Sequence, residues 1–256
     1  MKIKTTRLER MRELFLQMPY ISLSELAALF PEVSEMTLRR DIDALEAEGA
    51  VIRVRGGARS MKFITATYED RYEARLSLDS GAKGRIAAAA IRLFDTGMSI
   101  FIDSGTTTLR IADYLPNDRF LITTSSPDLA RELHRTPLAV INIVGGMYNR
   151  ENHTLSGQGA IKFISDMTFD LAIMAPSGYT KEGGFSSGNY SECEFKKKVI
   201  ERSRHVAMLI TSSKWGLKQP YTFASPDDIS TIITDAELPQ PFAQDFDISK
   251  TSVIIA

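Results

Sequence analysis

The stretch Ser34–Ile42, SEMTLRRDI, carries two adjacent arginines on what its spacing predicts to be one face of a helix. Leu38, Ile42 and Leu45 fall at i, i+4 and i+7, so they form an apolar stripe that faces a core. The outward face carries Met36, Thr37, Arg39, Arg40 and Asp43. A guanidinium fork on an exposed helix matches the acceptor edge of guanine in the major groove, so this face predicts recognition of duplex DNA.

The flanking residues supply the start and the end of such a helix. Ser34 is a good N-cap, because its hydroxyl can accept a hydrogen bond from a backbone N–H of the first turn. Gly49 stands where a left-handed residue ends a helix. An earlier stripe that ends at Pro19 predicts a first helix through Leu8, Met11, Leu14, Phe15 and Met18.

A short helix is predicted between these two. It covers Glu25–Phe30, with Ser22 or Ser24 as its cap and residues 31–33 as the turn that follows. Helix, short helix, turn and longer helix is the helix-turn-helix order, in which the last helix enters the major groove.

A basic hairpin is predicted directly after the longer helix. Apolar and basic residues alternate over Val51–Arg55, which is typical of a half-buried strand, and Gly56-Gly57 allow a tight turn. The alternative is a helical bundle with surface arginines, since charged helix faces are often only solvated. The residues predicted to contact DNA are Ser34, Met36, Thr37, Arg39, Arg40, Arg53 and Arg55.

Three motifs of this region match one known pattern. They are Ser34-x-x-Thr37-Leu38-Arg39-Arg40-Asp41-Ile42, Leu45-x-x-x-Gly49 and Arg53-x-Arg55-Gly56-Gly57-Ala58. Together they resemble the DeoR family of bacterial transcription regulators. Arg55 stands where that family often has histidine, which keeps a donor and makes the position permanently charged. The resemblance implies a sequence-specific DNA-binding regulator, with repression relieved by an effector as the family default.

Length and composition indicate a two-part globular protein. The 256 residues suffice for a domain of about 60 residues and a larger one. The net charge of −1 means that DNA affinity must come from local arginines. Cys193 is the single cysteine, which excludes an intrachain disulfide and indicates a reducing compartment. The N-terminal residues lack the apolar core of a signal peptide, and no apolar run approaches the roughly 20 residues that cross a bilayer. We therefore expect a cytoplasmic protein with no membrane partner.

We expect four segments along the chain. A winged helix-turn-helix domain covers 1–58, a linker 59–82, an effector-sensing α/β domain 83–236, and a C-terminal tail 237–256. Within the linker, Tyr68–Leu78 is predicted to be a charged helical connector that transmits the effector signal. The last residues of the tail, SVIIA, suit a final strand.

The third segment alternates strands and helices, which predicts an α/β fold with a largely parallel sheet. The predicted strands are Ser99–Ile102, Phe120–Thr123, Val140–Val144, Leu171–Ala175, Val206–Ile210 and Thr231–Thr234. The predicted helices include one from Lys83, then Thr107–Leu115, Pro127–His134, one that starts at Ala160–Ile164, and Ser191–Arg204. Ligands of such sheets bind at the carboxyl ends of the strands, so the strand-to-helix turns are the candidate sites.

The turn Asp103–Thr108, DSGTTT, is the strongest candidate. Gly105 allows a ligand to approach the backbone, and the threonine hydroxyls and free N–H groups of a helix start suit an anion. No Gly-Lys-Ser/Thr follows, so the turn is not a nucleotide P-loop. The alternative is an ordinary capped turn between a strand and a helix.

Other turns at strand ends are also small and polar. Thr123–Ser126 follows the second strand, Gly145-Gly146 the third, and Lys214 comes shortly after Val206–Ile210. Their recurrence predicts a small polyhydroxylated anion as the ligand, rather than a lipid or a flat apolar molecule.

The resemblance to the DeoR family continues through this half. The matching residues are Lys83-x-x-Ile86-Ala87, Asp103–Thr108, Gly145-Gly146, Gly157, Glu192, Phe195-Lys196-Lys197 and Ser213-Lys214-Trp215-Gly216. They are similar to the DeoR-type sensor domain, which is related in fold to ribose-5-phosphate isomerase and the CoA transferases and usually senses phosphorylated sugars. Thr124 and Thr211 depart from the asparagine and aspartate that are common in the family.

The resemblance assigns individual residues to the effector site. Asp103, Gly105, Thr106, Thr107 and Lys214 line the effector site, with the phosphate on the threonine turn. The full set of expected effector-binding residues is Asp103, Ser104, Gly105, Thr106, Thr107, Thr108, Thr124, Gly145, Gly146, Glu192 and Lys214.

The competing hypothesis is a sugar-phosphate isomerase or a related hydrolase. Glu192 could act as a general base and Lys214 as an electrostatic stabiliser. The lack of an aspartate at Thr211 and the DNA-reading module disfavour it. Scattered histidines and one cysteine predict no metal site, and we expect no cofactor. The run Lys196–Lys198 is expected on a solvated helix face, although one of its lysines could reach the ligand. One recognition helix reads few base pairs, so we expect at least a homodimer or homotetramer assembled through the sensor domain.

Overall fold

A computed structural model of the protein describes residues 2–18, 20–54, 56–60, 72–247 and 249–256. Arg55, Pro19, and residues 61–71 of the expected linker lie outside the described residues. The chain divides into two compact units, residues 1–69 and 70–256.

The first unit is a helix-turn-helix with a small sheet. Its elements are α1 (Lys2–Gln17), β1 (Tyr20–Ser22), α2 (Leu23–Leu29), α3 (Glu35–Ala47), β2 (Val51–Val54) and β3 (Gly57–Ser60). The three strands are antiparallel in the order β1-β3-β2. The buried core residues are Met11, Phe15, Ile21, Leu26, Phe30, Leu38, Ile42, Leu45, Val51 and Ala58.

The capping residues explain where the helices begin and end. Ser22 and Glu25 form a capping box on α2, which therefore starts two residues before the predicted Glu25. Ser34 Oγ accepts from Thr37 N at 3.4 Å at the start of α3. After α3, Gly49 has a φ of +74°, the left-handed conformation predicted for it. Met18 was predicted to lie on the apolar stripe of α1 but is 39% exposed, because it falls beyond the end of the helix.

The second unit is built on a seven-stranded parallel sheet in the order β15-β14-β12-β9-β4-β5-β6. Its strands are β4 (Ser99–Ile102), β5 (Leu121–Thr124), β6 (Val140–Ile143), β9 (Leu171–Met174), β12 (Val206–Leu209), β14 (Thr231–Thr234) and β15 (Ser252–Ile255). All four residues of β9 and of β12 are buried. Such continuous apolar burial is typical of a parallel sheet covered on both faces.

Helices cover both faces of this sheet. The α-helices are α4 (Tyr72–Ser77), α5 (Ser80–Ala90), α6 (Pro127–Glu132), α7 (Gln158–Ser165), α8 (Tyr190–Glu201) and α9 (Gln240–Ala243). Two apolar clusters result, one that contains Phe101 and Phe195 and another that contains Ile100 and Ile86. Phe101 and Ile100 are neighbours in β4 that point to opposite faces, as the two-residue period of a strand requires.

Smaller strands were not predicted from the sequence. A hairpin joins β7 (Met147–Asn149) to β8 (Thr154–Ser156), and an antiparallel sheet has the order β10-β11-β13. The strands of that sheet are β10 (Gly178–Thr180), β11 (Gly184–Ser187) and β13 (Tyr221–Ala224). The overall class, a winged helix-turn-helix followed by an α/β domain with a largely parallel sheet, is confirmed.

The helix after β4 differs from the prediction. Instead of an α-helix over Thr107–Leu115, the chain forms a 3₁₀-helix over Thr108–Asp113. Three consecutive threonines, β-branched residues with low helix propensity, open this segment. Within the described ranges, no helix is long and apolar enough to cross a membrane.

Candidate functional sites

The outward face of α3 presents the predicted DNA-contacting side chains to solvent. Met36 is 64% exposed, and Arg39 and Arg40 are also exposed. Arg39 makes a loose ion pair with Glu35, with 3.8 Å between Nη2 and Oε2. A guanidinium held this weakly can exchange its partner for a base edge or a phosphate at little cost.

The wing is tied to α3 through Arg53. Its guanidinium donates to Asp43 Oδ1 at 2.8 Å, and its backbone N–H donates to Glu46 Oε1 at 2.8 Å. A groove of about 440 Å³ lies between α3 and the wing, and its lining includes Arg39 and Arg53. Arg55, the remaining predicted wing contact, lies outside the described residues.

Asp41 plays a structural part that the sequence did not indicate. Its carboxylate is 1% exposed and accepts from Arg7 at two atoms, Nε at 2.7 Å and Nη2 at 3.1 Å. This bidentate pair joins α1 to α3 and fixes the rotation of the recognition helix.

In the second unit, Asp103 lies fully buried at the end of β4. Its Oδ1 accepts from Ser104 N at 2.9 Å, and its Oδ2 accepts from Ala175 N at 3.1 Å and from Lys196 Nζ at 2.6 Å. The carboxylate therefore joins the ends of β4 and β9 to helix α8.

The buried position of Lys196 corrects an expectation. The run Lys196–Lys198 was expected on a solvated face, but Lys196 is 2% exposed and donates to Asp103 and to the carbonyl oxygen of Ala175 at 2.8 Å. The other two lysines do lie toward solvent and pair with glutamates of the same helix. Lys196 stands four residues after Glu192 on the buried side of α8, and that spacing is the signal by which it could have been recognised.

Glu192 belongs to the same buried cluster. Its Oε1 lies 3.4 Å from Lys196 Nζ, and its Oε2 accepts from Asn152 Nδ2 at 3.3 Å. Asn189 caps the start of α8 and accepts from Glu192 N at 3.1 Å. Two carboxylates thus share one buried ammonium group in the cluster formed by Asp103, Glu192 and Lys196.

Lys214 approaches the same place from the loop after β12. Its Nζ donates to the carbonyl oxygen of Pro176 at 2.5 Å, next to the Ala175 carbonyl that Lys196 contacts. Two ammonium groups therefore meet consecutive carbonyls just beyond β9, at the centre of the carboxyl edge of the sheet.

The turn beside them is compact and buried. Gly105 has a φ of +143°, and Thr106, Thr107 and Thr108 are at most 5% exposed. Thr108 Oγ1 donates to the Gly105 carbonyl at 3.1 Å, while Thr107 Oγ1 has no hydrogen-bond partner within the described part of the chain. Because a short 3₁₀-helix follows, the α-helix start that we expected to favour an anion is absent here.

Two further residues predicted to bind the effector, Thr124 and Gly146, stabilise the backbone of their turns. Thr124 is fully buried, and its Oγ1 accepts from Ser126 N at 3.0 Å. Gly146 has a φ of +141°, and a Cβ there would lie 2.5 Å from the Ser156 carbonyl oxygen. Gly145 and Gly146 are both exposed, but a Cβ added at Gly145 would have no atom within 4 Å. Among the described residues, no group of three or more His, Cys, Asp or Glu side chains could hold a metal ion.

A winged helix-turn-helix with exposed arginines, followed by a separate parallel α/β domain, is the arrangement of a DNA-binding regulator. Two family comparisons agree with this class. The DeoR-like helix-turn-helix domain matches residues 7–63, and the DeoR C-terminal sensor domain matches residues 79–236. The chain belongs to the DeoR family of transcriptional regulators.

Characterised relatives align over most of the chain. The transcriptional regulator IolR of Bacillus subtilis is 31% identical over 94% of this chain and 95% of its own. The glycerol-3-phosphate regulon repressor of Escherichia coli is 30% identical over 92% of both chains. A structure of ribose 5-phosphate isomerase A from Methanocaldococcus jannaschii is similar over 54% of this chain and 55% of that one, with 14% identity and a TM-score of 0.39.

Proposed function

We propose that this regulator represses a carbohydrate-metabolism operon and that a phosphorylated sugar modulates its DNA binding. The observation that carries the effector claim is the meeting of Lys196 and Lys214 on the consecutive carbonyls of Ala175 and Pro176, beside the turn Asp103–Thr108. Sugar phosphates and DNA occur together in the cytoplasm, which is where we expect the protein to act.

The effector site is proposed to divide into an anionic and a hydroxyl-binding part. The phosphate lies against the backbone N–H groups and hydroxyls of Ser104–Thr108, with Lys214 as its counter-charge. Glu192 accepts hydrogen bonds from sugar hydroxyl groups, since a carboxylate is an acceptor only. Thr124 supports the neighbouring turn, Gly145 leaves room for a ligand close to the backbone, and Gly146 keeps this turn packed against Ser156. The name of the glycerol-3-phosphate regulon repressor supports a phosphorylated polyol as the ligand class.

The DNA site is proposed to use α3 for base recognition and the wing for the phosphate backbone. Four side chains of α3 are proposed to reach base edges, namely Met36, Thr37, Arg39 and Arg40. Three further residues are proposed to contact phosphates or the base pairs beside them, namely Ser34, Arg53 and Arg55. A homodimer or homotetramer would place two recognition helices on half-sites spaced by whole helical turns. Light scattering that gives a monomer at micromolar concentration, both with and without operator DNA, would refute the assembly.

The effector claim is tested by removing hydroxyl groups at constant shape. The variant Thr106→Val/Thr107→Val should lose the response of DNA affinity to phosphorylated sugars but keep effector-free DNA binding. Thr234→Val is the matched control, because Thr234 is also fully buried without a described hydroxyl partner, at the end of β14. Phosphorylated sugars should raise the melting temperature of the wild type, and the free sugars should not. A response only to a free sugar, a nucleotide or an amino acid contradicts the phosphate claim.

A further inference from the structure

The hairpin β7–β8 joins two parts of the second unit. Its base is flanked by Gly145 and Gly146 on one side and Gly157 on the other, at the proposed effector site. The backbone at Gly146 packs against Ser156 too closely for any Cβ, so the base has a fixed geometry. Its tip, residues 150–153, contacts α4 through two side chains. This hairpin therefore spans from the effector site to the helix that follows the undescribed residues 61–71.

The first tip contact is polar and has a charged group on each side. Asn152 Oδ1 accepts from Arg75 Nη2 at 3.2 Å, and Asn152 Nδ2 donates to Glu192 Oε2 at 3.3 Å. A single amide thus links the guanidinium of α4 to the carboxylate of the buried cluster. A continuous series of polar contacts runs from Arg75 through Asn152, Glu192 and Lys196 to Asp103.

The second tip contact is an aromatic stack. The rings of His153 and Tyr72 have centroids 4.2 Å apart and an interplanar angle of 15°. Tyr72 is 2% exposed, and His153 Nδ1 lies 2.8 Å from Asp128 Oδ2, which orients the imidazole. His153 has a φ of +52°, a conformation that is uncommon for residues other than glycine. The tip is therefore held in a defined shape against α4.

Helix α4 depends on these contacts for its position. It has six residues, and a helix of that length is not stable by itself in water. Lys83, which is 3% exposed, donates to the carbonyl oxygens of Leu78 and Arg75 and holds the end of α4. The tip of the hairpin contacts the beginning and the middle of α4, through Tyr72 and Arg75.

We propose that Asn152 and His153 are the positioning residues through which occupancy of the effector site is transmitted to α4, and from there to DNA affinity. The proposal rests on the proposed function. A ligand that engages Lys196 or Glu192 changes the acceptor available to Asn152. The hydrogen bond between Asn152 and Arg75 then changes as well. The signal requires that the ligand binds one arrangement of this series more tightly than the other.

The first test needs no ligand and uses hydrogen–deuterium exchange of residues 72–78 in the full chain. Glu192→Gln keeps one acceptor oxygen and turns the other into an NH2 donor, so its contact with either Lys196 or Asn152 is lost. Made in the otherwise wild-type chain, this change should speed hydrogen–deuterium exchange in α4. In an Asn152→Leu background, where the contact between Asn152 and Arg75 is already lost, the same change should add nothing. Unchanged α4 exchange in Glu192→Gln, or additive effects of the two changes, overturns the proposal.

The second test separates effector binding from transmission. Asn152→Asp replaces the donor to Glu192 by a carboxylate oxygen, and the charge of this carboxylate strengthens the contact with the Arg75 guanidinium, which compensates in α4 for the lost link to Glu192. It should retain α4 protection and lose the effector-induced change in DNA affinity, while glycerol 3-phosphate, hexose 6-phosphates and inorganic phosphate bind as to the wild type in thermal-shift titrations. A wild-type response would be on the order of 5- to 150-fold. A full response in Asn152→Asp overturns the proposal.

One control and one further test variant complete the design. Asn149→Leu changes an asparagine of the same hairpin whose Oδ1 accepts only from Glu151 N among described contacts, so it should leave both readouts unchanged. His153→Asn removes the ring but tolerates the left-handed backbone, and should reduce transmission without unfolding. If no phosphorylated compound changes the melting temperature or DNA affinity of the wild type, the proposed effector class fails, and the exchange experiment still decides the role of Asn152.

Discussion

The two units of this protein hold their charged side chains in opposite ways. On α3, Arg39 is 53% exposed and stands 3.8 Å from its partner Glu35. Between β4 and α8, Lys196 and Asp103 are 2% and 1% exposed and 2.6 Å apart. Exposed charges cost little to keep and remain available to another molecule, whereas buried charges need their counter-charge because desolvation is expensive. The outward face of α3 presents charge to a partner, whereas the cluster between β4 and α8 uses charge to hold the shape of a site.

Lys196→Met should have the largest effect on stability, because it leaves the Asp103 and Glu192 carboxylates buried without their shared cation. Breaking a buried pair in this way costs about 3–5 kcal/mol. Urea unfolding followed by circular dichroism should show the loss in the midpoint. Lys197→Met is the control on the same helix, since Lys197 is 51% exposed and should change stability little. Equal midpoints for the two variants would remove the contrast between buried and exposed charge.

Arg40→Ala should act on DNA binding and leave the fold intact. An arginine that forks onto guanine contributes roughly 1–3 kcal/mol of discrimination, so binding to the operator should fall more than binding to a scrambled duplex. Fluorescence anisotropy with both duplexes measures the difference, and Arg204→Ala, an exposed arginine of the other unit, is the control. Equal losses on both duplexes would assign Arg40 to the phosphate backbone.

Asp41→Asn tests a buried charge inside the DNA-reading unit. Arg7 is 12% exposed and can still reach water, so the loss of stability should be roughly 1 kcal/mol and smaller than for Lys196→Met. Operator affinity should also decrease, because the bidentate contact that orients α3 is reduced to a single acceptor. A thermal melt and an operator titration of the same sample check both effects. A stability loss as large as that of Lys196→Met would be the contradicting outcome.

Arg53→Ala should give the smallest change. The side chain is 52% exposed and already paired with Asp43, so the fold should be unaffected. If Arg53 contacts a phosphate, binding weakens on all sequences alike, and the slope of log K against log salt falls by about one. An unchanged slope would exclude Arg53 from the backbone contacts.

The same contrast explains what the sequence could reveal. Leu38, Ile42 and Leu45 fix the orientation of α3 by local spacing, so its outward arginines could be predicted. The pairing of Lys196 with Asp103 could not be predicted, because the two residues are 93 positions apart and no local pattern connects them. The strand β1 was missed for a similar reason. It has three residues and exists through its pairing with β3, far along the chain.

Local chemistry also left choices that only packing decides. The residues that follow Asp103 suit a helix start, but propensity does not distinguish an α-helix from the 3₁₀-helix Thr108–Asp113. The sequence predicted Thr124 as a polar residue at a strand end, and Thr124 is indeed the last residue of β5. Its hydroxyl, however, accepts from Ser126 N and supports the turn. The effector-binding roles of these residues remain predictions, which the hydroxyl-deletion variants address.

The cluster of Asp103, Glu192 and Lys196 also limits how such a site can diverge during evolution. Replacing Lys196 leaves two buried carboxylates without their shared ammonium group at a cost of about 3–5 kcal/mol, a large part of the 5–15 kcal/mol that stabilises an ordinary domain. A change at Lys196 therefore requires a compensating change at a carboxylate. Positions that carry no buried charge, such as Thr124 and Thr211, can change singly. New ligand preferences would then arise around the cluster while its charges stay in place.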